Sequence, residues 1–269
     1  MKQIKNLILD MDGVLWRGDT PMPGLAVFFD TLRELEMGVV LATNNASKTA
    51  VQYTEKLARF GVTMPPEAIL TSALATADYA SHHHPPGSVA YVAGGLGLQQ
   101  AVRDKGYPLL TPDEVWAGAT AAFIAVGFHP EITYRELAAG ALLVQRGAQF
   151  IGSNPDTTFP SEIGLLPGAG SLIAFVATAT GVTPTIIGKP GPIMFQEAML
   201  RLGGNLENTA MVGDRLGTDI AGGKAAGMHT ILVLSGITQP EELETSDLQP
   251  DYVLPDIAAL TKWLRQEKG

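Results

Sequence analysis

Short apolar runs alternate with segments of helical periodicity along most of this chain, and this alternation restricts the folds open to it. Residues 7–9 form one such run, residues 23–38 then place apolar side chains at helical spacing, and residues 39–42 form the next run. The apolar runs show little alternation of apolar and polar residues, as expected for strands of a parallel sheet that is covered on both faces. The pattern therefore predicts an α/β fold built on a parallel sheet. The segment 47–61 predicts a further helix, with Ser47 as its N-cap.

The composition excludes several classes of protein. Hydrophobic residues make up 46% of the 269 residues, enough for a sizeable core, but no apolar run approaches the roughly 18 to 20 residues that span a bilayer. The chain contains no cysteine, which excludes disulfides, thiol nucleophiles and thiolate metal sites. Its net charge is −9 and it has no Lys/Arg cluster, so we expect no nucleic-acid partner. Its start does not resemble a secretory signal, and we expect a cytoplasmic protein that does not bind membranes.

The pattern of apolar runs and helical segments is interrupted near residue 80. The stretch SHHHPPGS, residues 81–88, resembles a linker, and it is followed by a new series of strands and helices. One of these helices opens with a capping box from Thr133 to Glu136. The pattern of the first part resumes after about residue 184, with a helix that begins at Pro192. We therefore expect a core made of residues 1–79 and 185–269, with an α/β domain inserted at 80–184.

Four apolar runs in the predicted core end in polar side chains. The polar residues are Asp10 and Asp12 after the first run, Thr43, Asn44 and Asn45 after the second, Lys189 after the third, and Asp214 and Asp219 after the fourth. In parallel α/β sheets, ligands bind in the crevice outside the carboxyl ends of the strands. We therefore expect all four sets to meet at one sheet edge, although they are spread over two hundred residues of sequence.

The side chains expected at this edge suit phosphoryl transfer. The carboxylates of Asp10, Asp12 and Asp214 repel one another unless a cation lies among them, and a few oxygen ligands favour Mg²⁺. Neighbouring hydroxyl, amide and ammonium groups can hold phosphate oxygens and neutralise their charge. Positioning and charge neutralisation are what the transfer of a phosphoryl group requires.

The stretches DMDGV, TNN, GKP and GDRLGTD resemble, in this order, the four signature motifs of the haloacid dehalogenase (HAD) superfamily. The resemblance covers the predicted core and implies a Rossmann-like fold and a covalent aspartyl-phosphate mechanism. It implies that Asp10 is the nucleophile, that Asp12 is the general acid/base and that Lys189 is catalytic through its charge. It assigns phosphate binding to Thr43, Asn44, Asn45 and Lys189, and Mg²⁺ binding to Asp10, the backbone carbonyl of Asp12 and Asp214. Asp219 is implied either as an occasional direct ligand of the metal or as a residue that supports the ligands from behind.

The spacing of the motifs places the inserted domain. About 30 residues separate Asp12 from Thr43, but more than 140 separate Asn45 from Lys189, so the insertion is a cap in the second position. Within it, the stretches IGSNPDTTFP and PGAGSLIAFVATATG resemble the α/β caps of the NagD-like, p-nitrophenyl phosphatase group. That resemblance implies that the cap selects the substrate. It makes Asn154, Asp156 and His129 candidates for specificity, the last where an acid is expected. Caps of this group often mediate dimers, so a homodimer through the cap is a further expectation.

Several of these residues also have simpler interpretations. Asp219 can be a helix N-cap, and Arg215 can point either into the pocket or to solvent. Asn154 and Asp156 can form an Asx-turn. The histidine run, His82, His83 and His84, is interpreted as an exposed linker rather than a metal site. The stretch GGLG, residues 94–97, lacks the full dinucleotide-binding spacing and is interpreted as a tight turn into a helix.

These observations predict an Mg²⁺-dependent phosphatase that hydrolyses phosphomonoesters of small metabolites. A phosphotransferase or mutase would use the same chemistry and stays open. A dehalogenase also uses an aspartate nucleophile but has no alkoxide to protonate, so it does not need Asp12. A receiver-like protein that accepts a phosphoryl group without turnover is the non-enzymatic alternative. Such a protein needs neither an inserted cap nor an acid/base at Asp12.

Overall fold

A computed structural model describes residues 4–46, 48–161 and 163–268 of the chain. Within these residues the strands are β1 (Asn6–Leu9), β2 (Trp16–Arg17), β3 (Thr20–Pro21), β4 (Gly38–Thr43), β5 (Ile69–Thr71), β6 (Ala90–Ala93), β7 (Phe123–Val126), β8 (Gln149–Gly152), β9 (Thr158–Ser161), β10 (Gly164–Pro167), β11 (Thr185–Ile186), β12 (Thr209–Gly213), β13 (His229–Val233) and β14 (Tyr252–Leu254). The α-helices are α1 (Leu25–Glu34), α2 (Ala50–Arg59), α3 (Ser72–His83), α4 (Leu96–Asp104), α5 (Pro112–Trp116), α6 (Tyr134–Gln145), α7 (Ala169–Thr180), α8 (Pro192–Leu202), α9 (Ala221–Ala225), α10 (Pro240–Thr245) and α11 (Ile257–Lys268). The predicted α/β class is confirmed.

The described residues divide into two compact units. The first unit is drawn from residues 4–43, 50–70 and 189–268, and the second from the described residues of 44–49 and 71–188. The boundary expected at residue 80 falls inside α3. This helix begins after Thr71, whose hydroxyl accepts a hydrogen bond from the backbone N–H of Leu74 at 3.3 Å. Because the helix is one continuous hydrogen-bonded element, it lies whole in the second unit.

The first unit is built on a six-stranded sheet in the order β14-β13-β12-β1-β4-β5. Strand β1 lies between β12 and β4 and is parallel to both, with Leu9 opposite Val212 on one side and Leu41 on the other. Its four residues are all buried, which explains why the run is apolar without alternation. Helix α1 buries Leu25, Phe28, Phe29 and Leu32 in the core against this sheet, on the face that the helical spacing predicts.

The second unit has its own parallel sheet, in the order β11-β8-β7-β6, and an antiparallel hairpin of β9 and β10. Its helices include α6, which begins with the predicted capping box of Thr133 and Glu136. The GGLG stretch forms a turn into α4, with Gly95 at the N-cap, as expected. The apolar sides of α6 and α7 supply much of the core of this unit, including Leu137, Leu143, Ile173 and Val176.

Two elements differ from the expectations. The strand before Lys189 does not belong to the core sheet, because β11 pairs through Thr185 and Ile186 with β8 of the second unit. The histidine run is not a linker, since His82 and His83 form the last turn of α3. His84 then packs its ring on Phe123 and bonds Gln149 at 2.6 Å, which ties the end of the helix to the sheet.

The predicted N-cap Ser47 lies outside the described residues. No helix among the described residues combines the length and the apolar character that crossing a membrane requires.

Candidate active site

Adjacent strand ends in the first unit bring the acidic residues together. Asp10 follows β1 directly, and its backbone N–H donates to the carbonyl of Val212 in the neighbouring strand β12 at 2.9 Å. Asp214 follows β12, and Asp219 lies within one turn of π-helix formed by Leu216–Ile220. All three acids are buried, and each offers a carboxylate oxygen within 4.8 Å of the others. The structure thus joins residues that are some two hundred positions apart in sequence.

Lys189 is the cation within this acidic group. Its ammonium group is buried and donates to Asp10 Oδ1 at 2.5 Å and to Asp219 Oδ1 at 2.7 Å. The other oxygen of Asp219 accepts the backbone N–H of Arg215 at 3.2 Å, so this carboxylate reaches back to the start of its own turn. Asp219 is therefore not the N-cap of a helix. Its contacts hold Lys189 in place beside Asp10.

Asp214 is held from one side and has an orphaned oxygen on the other. Its Oδ2 accepts the backbone N–H of Ile237 at 2.7 Å, whereas its Oδ1 is buried with no hydrogen-bond partner. Two glycines make room for this carboxylate, because a Cβ atom at Gly13 or Gly236 would overlap it. Gly13 also has φ +87°, a conformation that favours glycine.

Burial and mutual repulsion leave this group short of positive charge. Burial raises the pKa of Asp10 to about 7, against the attraction of Lys189 and with help from Asp219 and Asp214. Burial and the charge of Asp219 raise the pKa of Asp214 to about 6. Burial opposes protonation of Lys189, but Asp10 and Asp219 outweigh it and raise the pKa of this ammonium group. Lys189 thus lies among three buried carboxylates. Ionisation of two of them, Asp10 and Asp214, is unfavourable in these surroundings.

These features fit a divalent cation. The orphaned Oδ1 of Asp214 lacks a donor, the three carboxylates lie within reach of a single ion, and every candidate ligand atom is an oxygen. Hard divalent cations of the Mg²⁺ type prefer such oxygen ligands. Among the described residues, the group of side chains that can hold a metal ion consists of Asp10, Asp214 and Asp219.

Asp12 differs from the buried acids because it is exposed. The turn after β1 brings Trp16 back against it, and the indole N–H of Trp16 donates to Asp12 Oδ1 at 2.9 Å. Trp16 itself is fully buried. No sequence motif assigned a role to this tryptophan. Its spacing of four residues from the second aspartate is the signal that could have identified the contact.

The predicted phosphate ligands fall in both units. Thr43 is the buried last residue of β4 in the first unit, and Asn44 and Asn45 follow it in the chain as part of the second. The backbone carbonyl of Asn44 accepts bonds from Ser72 Oγ at 2.6 Å and from Asn154 Nδ2 at 3.0 Å.

The two polar residues of the cap stretch SNPD contact Asn44 rather than standing alone. Asn154 is buried, and Asp156 Oδ1 accepts from Asn44 Nδ2 at 3.2 Å. Asn154 Oδ1 in turn accepts the backbone N–H of Asp156 at 3.2 Å, which is the Asx-turn considered from the sequence. Within the second unit, this stretch therefore holds the segment that carries Asn44.

Neither of the two remaining candidate residues, His129 and Arg215, is fully buried. His129 lies in the loop after β7 and is partly buried, and its Nδ1 is buried without a hydrogen-bond partner. Its role in specificity stays a prediction. Arg215 is exposed, as in the solvent-facing interpretation.

Comparison with known proteins places the chain among a large group of relatives. Residues 7–108 match the family model of haloacid dehalogenase-like hydrolases, and residues 186–260 match a second, HAD-hydrolase-like model. The acid sugar phosphatase of Staphylococcus epidermidis is 37% identical over 257 residues, which cover 96% of each chain.

Solved structures of two related proteins are similar to this chain over nearly its whole length. The p-nitrophenyl phosphatase from Archaeoglobus fulgidus superposes with a TM-score of 0.89 at 31% identity, over 97% of this chain and 99% of that one. NagD from E. coli K-12 superposes with a TM-score of 0.85 at 33% identity, over 95% of this chain and 98% of that one.

Proposed function

Because this chain belongs to the haloacid dehalogenase-like hydrolases, within their NagD-like, p-nitrophenyl phosphatase group, we propose that it hydrolyses phosphomonoesters of small metabolites through an aspartyl phosphate on Asp10. The chain is thus a phosphatase rather than a receiver-like protein that only accepts a phosphoryl group. The proposal also covers the covalent mechanism, Mg²⁺ as the metal and the role of each residue.

One observation carries the proposal. Asp10 sits at the carboxyl end of β1 with a buried lysine 2.5 Å from one oxygen and two further carboxylates around it. A mere turn would not bury three acids and one lysine together, because their desolvation is costly unless a ligand compensates for it. An arrangement of this kind suits a nucleophilic carboxylate that must approach an anionic phosphate.

In the first step, a carboxylate oxygen of Asp10 attacks phosphorus in line with the ester oxygen. The new P–O bond to Asp10 forms as the bond to the leaving oxygen breaks. Asp12, protonated at this stage, gives its proton to that oxygen, so a neutral alcohol departs. Lys189 stays charged and neutralises the non-bridging oxygens of the transferring group.

In the second step, Asp12 is ionised and takes a proton from a water molecule as the water oxygen attacks the phosphorus of the intermediate. The P–O bond to Asp10 breaks, inorganic phosphate leaves and the Asp10 carboxylate is restored. Asp12 ends the cycle protonated, ready for the next ester. The net reaction consumes one ester and one water and yields one alcohol and one phosphate.

Asp10, Asp214 and the backbone carbonyl of Asp12 would hold the divalent cation, with Asp219 orienting Lys189 beside them. When bound, such an ion supplies charge neutralisation for the phosphate oxygens and relieves the repulsion among the acids. We assign Mg²⁺ because it binds few protein oxygens and readily shares substrate phosphate.

The substrate class we propose is small phosphorylated metabolites, sugar phosphates among them. The relatives named acid sugar phosphatase and p-nitrophenyl phosphatase support an enzyme that accepts both aliphatic and aromatic monoesters. Thr43 and Lys189 would bind the phosphate, and Asn44 and Asn45 stay predicted phosphate ligands. His129 stays a predicted specificity residue of the cap.

A phosphate-release screen over sugar phosphates, other metabolites and p-nitrophenyl phosphate, with Mg²⁺ present, tests the activity. Borohydride reduction of acid-quenched enzyme during turnover then tests the mechanism, because it converts an aspartyl phosphate to homoserine that mass spectrometry locates at position 10. The Asp10→Asn variant should show neither phosphate release nor the reduced residue, since an amide cannot attack phosphorus.

The outcomes separate the alternatives. Turnover without a modified Asp10 would contradict the covalent mechanism. Transfer of the phosphoryl group to an added acceptor in place of water would identify a phosphotransferase or mutase.

A further inference from the structure

Asp12 is an exposed acid whose position is fixed by a buried tryptophan. The indole N–H of Trp16 donates to Asp12 Oδ1 at 2.9 Å, while the ring of Trp16 is inaccessible to solvent. An exposed aspartate normally exchanges among several rotamers. A single donor on an immobile ring selects one of them and occupies one of the two carboxylate oxygens.

The ring of Trp16 is held on several sides. Tyr53 stacks against it with 6.3 Å between centroids, and Phe60 contacts it at a tilt with 6.1 Å between centroids. The ammonium group of Lys56 lies 4.4 Å from the centroid, within the range of a cation–π contact. Tyr53 and Lys56 are both buried.

Lys56 also fixes the hairpin that carries Trp16. It donates to the backbone carbonyl of Gly18, in the turn between β2 and β3, at 2.6 Å. Arg17, the residue after Trp16 in β2, donates through Nε to the backbone carbonyl of Ser235 at 2.9 Å. Ser235 Oγ in turn donates to the carbonyl of Gly13 at 2.8 Å. The hairpin is therefore anchored to the same loop that carries the aspartates.

We propose that Trp16 is a positioning residue for the general acid/base. Its N–H holds Oδ1 of Asp12, so that Oδ2 is the oxygen that delivers and removes the proton. The inference rests on the proposed function, since it presupposes that Asp12 exchanges protons with the leaving group and with water. The indole does not touch the reacting phosphorus, and attack by Asp10 does not depend on it.

The contact between Trp16 and Asp12 should affect the rate of proton transfer. A general acid must lie within hydrogen-bond reach of the leaving oxygen when the bond breaks, and small displacements of a catalytic group are costly. Loss of a hydrogen bond to a charged group typically changes an equilibrium roughly 10- to 100-fold. Without the Trp16 N–H, the rate of a reaction that needs a proton from Asp12 should therefore fall by a factor of this size. The rate of a reaction whose leaving group needs no proton should stay unchanged.

The test replaces Trp16 with 3-benzothienylalanine, which keeps the shape of the bicyclic ring and substitutes sulfur for the N–H. Two quantities are measured for the parent and the variant: steady-state hydrolysis of an alkyl phosphate, and the pre-steady-state release of nitrophenol from p-nitrophenyl phosphate. The same replacement at the exposed Trp116 is the matched control. The Trp16→Phe variant, which also lacks the N–H, is a second version for comparison of folding and rate.

We expect kcat for the alkyl phosphate to fall about 10- to 100-fold with KM nearly unchanged. Nitrophenolate needs little protonation, so its first release should keep the parent rate and then be followed by slow turnover, because Asp12 must still activate water. In an Asp12→Asn background, the replacement at Trp16 should change kcat no further, since its effect passes through Asp12.

Other outcomes overturn the inference. Parent-like hydrolysis of the alkyl phosphate would show that the N–H does not position Asp12. An equal loss of the alkyl reaction and of the nitrophenol burst, or a further loss in the Asp12→Asn background, would assign Trp16 a structural role only. If the parent itself released no phosphate and formed no adduct on Asp10, the proposed function would fail instead.

Discussion

Replacing Asp214 with asparagine should stabilise the metal-free protein while it removes phosphatase activity. Asp214 is buried, accepts one backbone N–H through Oδ2 and leaves Oδ1 without a partner. Burial and the charge of Asp219 raise its pKa from 3.8 to about 6. Above that pH the folded protein must hold an ionised carboxylate in a site that disfavours it.

The size of the change in the free energy of unfolding follows from the shift in the pKa of Asp214. A carboxyl whose pKa is higher in the folded than in the unfolded state stabilises the fold below its unfolded value and loses that contribution as the pH rises through the folded value. For Asp214 a shift of about two units corresponds to about 3 kcal/mol lost between about pH 4 and pH 7. The amide accepts the Ile237 N–H less strongly than the carboxylate does, a cost of about 1 kcal/mol. The Asp214→Asn variant should therefore gain about 1–2 kcal/mol in EDTA near pH 8.

Urea unfolding in EDTA, at about pH 8 and about pH 5, measures this difference. Near pH 5 the folded carboxyl is protonated but the unfolded one is already largely ionised, so about half of the 3 kcal/mol is still lost and the gain should shrink to about 0.5 kcal/mol. Millimolar Mg²⁺ should stabilise the parent, because a ligand that binds only the folded state raises its stability, and should have little effect on the variant. Asp247→Asn, a change at an exposed acid, is the control and should alter none of these values.

A variant that is less stable than the parent in EDTA at both pH values would refute the reasoning. Such a result would mean that Asp214 is a structural acceptor whose charge the fold tolerates. A gain that persists unchanged near pH 5 would also refute it, because the gain could not then arise from ionisation.

Further predictions concern the same chemistry. Excess EDTA should abolish turnover and Mg²⁺ should restore it, since the acids without a cation repel one another and an anionic substrate; full activity after dialysis against EDTA would contradict the metal assignment. Asp12→Asn should slow alkyl phosphate hydrolysis roughly 10²- to 10⁴-fold and accumulate phosphorylated Asp10 after a nitrophenol burst, and the absence of a trapped adduct would count against its acid/base role. Asp156→Ala should lower kcat/KM about 10-fold by a common factor across substrates, because Asp156 holds Asn44, and a changed ranking of substrates would assign it to specificity.

Much of the fold is determined by local patterns in the sequence. The apolar runs at β1, β4 and β12 lack alternation because β1 and β12 are buried throughout and β4 is buried over its last four residues. The helical spacing of α1 marks the face that packs on the sheet. The capping box of Thr133 and Glu136 fixes the start of α6, since both of its hydrogen bonds join residues three positions apart. The aspartates after β1 and β12 could be placed at one edge because parallel strands end together.

Weaker local signals account for the elements that the sequence did not predict. The hairpin of β2 and β3 has only two residues in each strand, too few to establish an alternating pattern. Helix α3 contains four alanines and little amphipathic contrast, so its last turn, with two histidines and two prolines shortly beyond, resembles a linker. Strand β11 is also only two residues long, and only its pairing with β8 assigns it to the second unit.

The side-chain contacts of the candidate site required the tertiary structure. Lys189 bonds Asp10 across 179 positions and Asp219 across 30, and the strands and turns that carry them had to pack before the distances existed. Asn154 and Asp156 contact Asn44 across more than a hundred positions for the same reason. Sequence alone identified which residue types carry the chemistry, because motif spacing along a strand end is local. It could not identify which atoms meet, because burial and hydrogen bonding between distant segments are set only when the chain packs.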